Sequence, residues 1–225
     1  YKHDIRNCWW VVDYNRQSLD STTADRMFRR FDDIFETTGW RVITLKHGKL
    51  QRAAFARPGG KSLEDWIENC PNAEFAVLTY QGGAAWRARL TADIGGKPHV
   101  KKLLDSFDDD GLAALMTNLG GHCIETLMDA FDSADDERPT LFIAYTVKGY
   151  GLPLAGHKDN HSGMMNPGQI DQLRMAMGIE AGQEWEPFAG LGGNMAARLK
   201  NFIGDSVLAA KPEEPVAPQI HVPAR

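Results

Sequence analysis

The segment Thr140-Leu141-Phe142-Ile143-Ala144-Tyr145-Thr146-Val147 is an unbroken apolar and β-branched run that stops abruptly at Lys148-Gly149-Tyr150-Gly151. A strand that is apolar at successive positions needs cover on both faces, which is the condition of a strand inside a parallel sheet. Two earlier stretches read the same way, Cys8 to Tyr14 and Trp40 to Leu45. Between them Met27, Phe28, Phe31, Ile34 and Phe35 recur at helical spacing, and Gly39 closes the helix. Strand, helix, strand, helix, strand implies right-handed crossovers, and so an α/β fold with a parallel sheet flanked by helices. Val11, Val12, Val42, Ile43, Phe142 and Ile143 are expected to be buried in adjacent strands.

The intervening chain is read more coarsely. Leu63, Trp66 and Ile67 form a helical stripe that Ser62 could cap. Phe75 to Tyr80 is read as a strand. Ile124, Leu127, Met128 and Phe131 make one helical face that His122-Cys123 opens. Gly156 to Gly168 holds three glycines and two histidines and is expected to be a mobile loop. Pro212, Pro215, Pro218 and Pro223 mark an extended linker over 206–225.

Composition removes several classes of function. With 25 basic and 30 acidic residues the net charge is -5, a poor balance for nucleic acid or anionic membranes. No apolar run reaches the roughly 18 residues that a membrane span needs. Tyr1 to Asn7 is polar and charged, so no signal peptide is expected at this end. The three cysteines are odd in number and lack CxxC spacing, which suits free thiols in a reducing cytoplasm.

Ligands of parallel sheets sit at the carboxyl ends of the strands. At the first end, Asn15 and Gln17 offer hard oxygen donors for Mg2+ or Ca2+, or a turn with local Asx hydrogen bonds. At the third, Lys148 could approach an anion or be merely solvated. Beyond it His157 and His161 could be acid–base groups, metal ligands or neither. His122 reads equally as a cap or as a functional group.

Together these segments resemble the transketolase-like, thiamine diphosphate-dependent superfamily, and most of all the homodimeric E1 component of the pyruvate dehydrogenase complex. Val11-Val12-Asp13-Tyr14-Asn15-Arg16-Gln17-Ser18-Leu19-Asp20 resembles the second half of the thiamine diphosphate motif in its N-x-Q-x-L-D form. Phe35 to Leu45, Asn118 to His122 (NLGGH, with Cys123 in place of the family's Asp), Thr146 to Gly151 (TVKGYG) and Asn160-His161 follow in the family's order.

The resemblance implies thiamine diphosphate and Mg2+ as cofactors. Asn15 and Gln17 would be metal ligands, Leu19 would lie against the cofactor, Lys148 would sit near the diphosphate, and His161 would act from a loop that orders over the site. It implies a cytoplasmic homodimer that decarboxylates a small 2-oxo acid such as pyruvate and passes the acyl group to a lipoyl acyltransferase component. A transketolase-type ketol transferase and a non-catalytic assembly module are the alternatives. No Gly-Asp-Gly occurs among the 14 residues before Asn15. Residues 1–205 are therefore expected to be the carboxyl-terminal part of a diphosphate-binding domain. The segment 206–225 would link it to a second domain in the remainder of the polypeptide.

Overall fold

The computed structural model describes residues 5–18, 21–22, 27–135, 137–207 and 209. They fall into two compact units, 1–165 and 166–225. Leu19 lies outside the described residues, as does most of the linker expected from 206 onward.

In the first unit, β1 (Trp9–Tyr14) leads into a two-residue ladder of β2 (Gln17–Ser18) with β3 (Ser21–Thr22). Then come α1 (Met27–Thr37), β4 (Arg41–Leu45) and six consecutive helices. These are α2 (Lys49–Phe55), α3 (Gly60–Asn69), α4 (Asn72–Gln81), α5 (Gly83–Ile94), α6 (Pro98–Leu104) and α7 (Asp109–Thr117). Next are α8 (Ile124–Asp132), β5 (Thr140–Tyr145) and a 3-10 turn at Lys158–His161.

The sheet is parallel, as its apolar runs require, in the order β1-β5-β4. Tyr14 pairs with Tyr145, and Leu45 pairs with Ala144. The strand with the strongest apolar run, β5, takes the middle, and Leu141, Phe142 and Ile143 are buried. On one face Phe142 and Ala144 pack with Leu45 and Ala130, against Leu127 and Phe131 of α8. On the other, Leu141 and Ile143 pack with Tyr14, against Phe35 and Trp40 at the end of α1. Full burial of a side chain such as Leu141, Phe142 or Ile143 contributes about 1.5–3 kcal/mol.

Two expectations are corrected. Val11 is half exposed, and Val12, Val42 and Ile43 are only partly covered, because β1 and β4 are the sheet's edges. Phe75 to Tyr80 belongs to α4 and is not a strand. Pro71 and the early acidic Glu74 favour a helix start, and Phe75 and Leu78 turn inward at helical spacing. Short apolar runs do not separate strand from buried helix. The two inward residues join the helical core around Leu63, Trp86, Leu90, Leu112 and Leu115.

The second unit contains α9 (Pro167–Ala176) and α10 (Met195–Gly204). A capping box starts α9: Asn166 Oδ1 accepts the Gln169 N–H, and Gln169 Oε1 accepts the Asn166 N–H, both at 2.9 Å. Among the described residues no helix is long and apolar enough to cross a membrane.

Candidate functional site at the carboxyl rim

The rim is assembled from the ends of β1 and β5. Asp13 lies in the last two residues of β1, Asn15 follows the strand, and Gln17 opens β2. The Asp13 carboxylate accepts the Thr146 hydroxyl from the next strand. Asn15 Nδ2 donates to Asp13 Oδ2 at 3.4 Å, and Asn15 Oδ1 accepts the Gln17 N–H at 3.0 Å. The Asx turn is thus present, and it holds three hard oxygen donors close together in sequence.

Arg16, between the two amides, is held at φ 62°, a left-handed conformation that non-glycine residues occupy at some cost. Its guanidinium lies 4.0 Å from the centroid of the Phe75 ring, and Nη2 donates to the Thr146 carbonyl at 3.5 Å. The cation–π contact and the hydrogen bond keep the side chain across the rim.

The loop Gly120-Gly121 delivers His122. A Cβ on Gly120 would stand 2.4 Å from the Leu45 carbonyl oxygen, and one on Gly121 would stand 2.7 Å from that of Tyr145. Only glycine lets the loop pass this close to both strand ends. His122 Nε2 accepts the Val147 N–H at 2.8 Å, and its ring stacks on Tyr150 with centroids 3.8 Å apart. With Nε2 accepting, the neutral ring carries its proton on Nδ1. Burial pushes this imidazole below its usual range, the Arg16 guanidinium adds to the effect, and the Asp13 carboxylate opposes it.

Lys148 closes the other side. Its carbonyl accepts the Gly156 N–H at 3.2 Å and the Asn160 Nδ2 at 3.0 Å. Gln17 Nε2 donates to the Gly156 carbonyl at 3.5 Å. Asn15, Gln17 and Lys148, singled out from sequence, therefore line one cleft together with Arg16, Phe75 and Gly156. The side-chain oxygen Oε1 of Gln17 is buried without a hydrogen-bond partner, and outside the cleft lining so is Oδ1 of Asn160.

His161 stands exposed on the 3-10 turn. The segment 156–168, expected to be a mobile loop, contains this turn. His157 Nδ1 accepts the Asp159 N–H to start it, and Asn160 ties it to Lys148. Among the described residues no three or more His, Cys, Asp or Glu side chains gather as a metal cluster.

Sequence reasoning passed over Asp13, Arg16 and Thr146. For Asp13 a signal existed, since it is a carboxylate two residues before Asn15 at the end of an apolar strand. For Arg16 and Thr146 there was none.

A parallel sheet whose polar cleft is built at strand ends defines an α/β protein of the kind that binds ligands at its carboxyl edge. Over 177 residues the chain is 25% identical to the pyruvate dehydrogenase E1 component of Cupriavidus necator, and 24% identical to those of Corynebacterium glutamicum and Escherichia coli. Each match covers 77% of this chain and 19% of the relative. The chain is thus a distant relative of pyruvate dehydrogenase E1 components and spans about a fifth of their length. No family model matches it.

Proposed function

We propose that this chain is part of a thiamine diphosphate-dependent 2-oxo acid dehydrogenase E1 acting on pyruvate. The observation that carries this reading is the orphaned Gln17 Oε1 beside Asn15 at the carboxyl end of β1, in a relative of E1 components. A buried amide oxygen with no donor fits a hard cation. Asn15 and Gln17 would hold Mg2+, and the cation would fasten the diphosphate of the cofactor. Asp13 adds a carboxylate on the same chain that the sequence reading did not count. Bound thiamine diphosphate supplies the electron sink that decarboxylation requires.

The chain's own residues do the positioning. His122 offers a neutral ring beside the cleft. The Lys148 carbonyl holds Asn160, and with it the turn that presents His161. From there His161 would move a proton at the substrate or at the acyl acceptor. The acceptor would be the lipoyl group of an acyltransferase component, and the active assembly a homodimer that includes the remainder of the polypeptide.

Calorimetric titration of the intact protein with thiamine diphosphate and Mg2+ tests the reading. Asn15→Ala should weaken metal-dependent cofactor binding and leave the circular dichroism unchanged. Unaltered binding in that variant removes the assignment. For His161→Ala, turnover of pyruvate and transfer to lipoyl acceptor should fall while cofactor affinity stays the same. Wild-type turnover would make the turn a mere connector.

A further inference from the structure

A second polar group lies one strand over, at the end of β4. Tyr14 pairs with Tyr145, and Lys46 follows Leu45, the partner of Ala144. The three side chains therefore form a row at the rim. The two tyrosine rings meet edge to face with centroids 4.7 Å apart, and Lys46 Nζ stands 5.5 Å from the centroid of the Tyr145 ring. Above this row, below the junction of α3 and α4, is a cavity of about 390 Å³ lined by Tyr14, Tyr145, Lys46, His47, Arg16 and Glu68.

The cationic side is fixed from behind. Gln51 is fully buried, and its Nε2 donates to the Met116 carbonyl at 3.1 Å, which turns Oε1 toward His47 Nδ1 at 2.8 Å. The ring is thereby set so that Nε2 meets Glu68 Oε1 at 2.8 Å, while Lys46 Nζ meets Glu68 Oε2 at 2.5 Å. Arg16 and Lys46 outnumber Glu68, the one acid among the described residues that line the cavity, in a chain whose net charge is -5. Burial first, then neighbouring Tyr14, pushes the Tyr145 phenol up to about 12, so the floor is uncharged at neutral pH.

We propose that this cavity binds a small phosphate monoester, its phosphate held by Lys46, His47 and Arg16 and its body laid against Tyr14 and Tyr145. Lys46 after β4 and Arg16 after β1 bring N–H donors to the cavity from two separate segments, and His47 Nε2 joins them as the imidazolium, since its Nδ1–H is committed to Gln51 Oε1. Donors spread in this way suit a tetrahedral dianion better than a planar carboxylate, and the guanidinium can engage two oxygens at once. In the free chain the Glu68 carboxylate occupies the place of the incoming oxyanion on Lys46 and His47. Asn15, Gln17 and Lys148 do not line this cavity, and Arg16 is the one named phosphate ligand that it shares with their cleft, so Lys46 and Glu68 are the positions that test it separately from the cofactor reading.

The test is calorimetric and NMR titration of the full 225-residue chain with inorganic phosphate, glycerol phosphate and acetate. Glycerol phosphate should bind saturably and more tightly than either inorganic phosphate or acetate. Lys46→Gln should weaken it by at least about tenfold. Glu68→Gln should tighten it, since the competing carboxylate is gone. Thermal unfolding of both variants checks that they fold, and if Lys46→Gln does not, Glu68→Gln alone decides. No saturable binding, binding indifferent to Lys46→Gln, weakening in Glu68→Gln, or acetate or inorganic phosphate binding as tightly as glycerol phosphate would each overturn the proposal. Thiamine diphosphate binding, which would use Asn15 and Gln17, is unaffected by Lys46→Gln whichever way the phosphate titration falls.

Discussion

His122 accepts the Val147 backbone N–H on Nε2 at 2.8 Å, so a single imidazole fastens the loop between α7 and α8 to the end of the central strand. Only the ring with a free lone pair on Nε2 can do this. Burial favours that neutral form in the fold, and the unfolded chain takes up its proton near the ordinary value of 6.5. The contribution is therefore complete above that value and is lost as pH falls through it toward the depressed folded value. His122→Asn should cost about 1 kcal/mol at neutral pH. It should also flatten the acid side of the stability curve, as read by urea titrations across mildly acidic pH. A curve parallel to the wild type would show that His122 is not the titrating group.

Glu68 responds in a lower range. Burial pushes its carboxyl up, but hydrogen bonds from Lys46 and His47 outweigh that and leave it below the ordinary 4.5. Its contribution is present above 4.5 and disappears as pH drops through the folded value. Glu68 is partly exposed, so solvent screening limits the effect to no more than about 1 kcal/mol. Glu68→Gln should be the less stable protein at neutral pH and should converge with the wild type in acid.

Gly120→Ala tests the close approach of the loop. The new Cβ would stand 2.4 Å from the Leu45 carbonyl oxygen, and backbone must shift to admit it. A cost of about 1–3 kcal/mol is expected in thermal unfolding. An unchanged midpoint would mean that the loop stands further from β4.

Trp86 is wholly buried among the helices, edge-on to Trp66 and Phe75, and its Nε1 has no hydrogen-bond partner. Trp86→Ala should cost about 3–5 kcal/mol. Trp86→Phe should cost much less, because no bond of the indole N–H is given up. Equal losses in denaturant titrations would show that the N–H has a partner.

The three long strands and the α8 face were legible because apolar runs and the i, i+3, i+4, i+7 spacing are local signals. The order of the strands was not. Nothing in Val11 or Val42 says that its strand stands at an edge, and so their exposure was misjudged. Phe75-Ala76-Val77-Leu78 was too short a run to separate a strand from a buried helix. At the rim, Asn15, Gln17 and Lys148 were picked out from sequence and do line one cleft. Arg16 and the lock made by His122 depend on contacts with Phe75, Thr146 and Val147, far away along the chain, which no spacing rule encodes.

The position of β5 has a consequence for how the chain can be made. It is the last strand of the sheet to be synthesised, yet both other strands hydrogen-bond only to it within that sheet. Until Thr140 and the residues after it leave the ribosome, β1 and β4 have no neighbour there, while α2 to α7 can assemble from contacts close in sequence. Sheet closure is thus a late and slow event that rests on long-range pairing. A chain halted before Thr140 would carry helices but leave β1 and β4 unpaired.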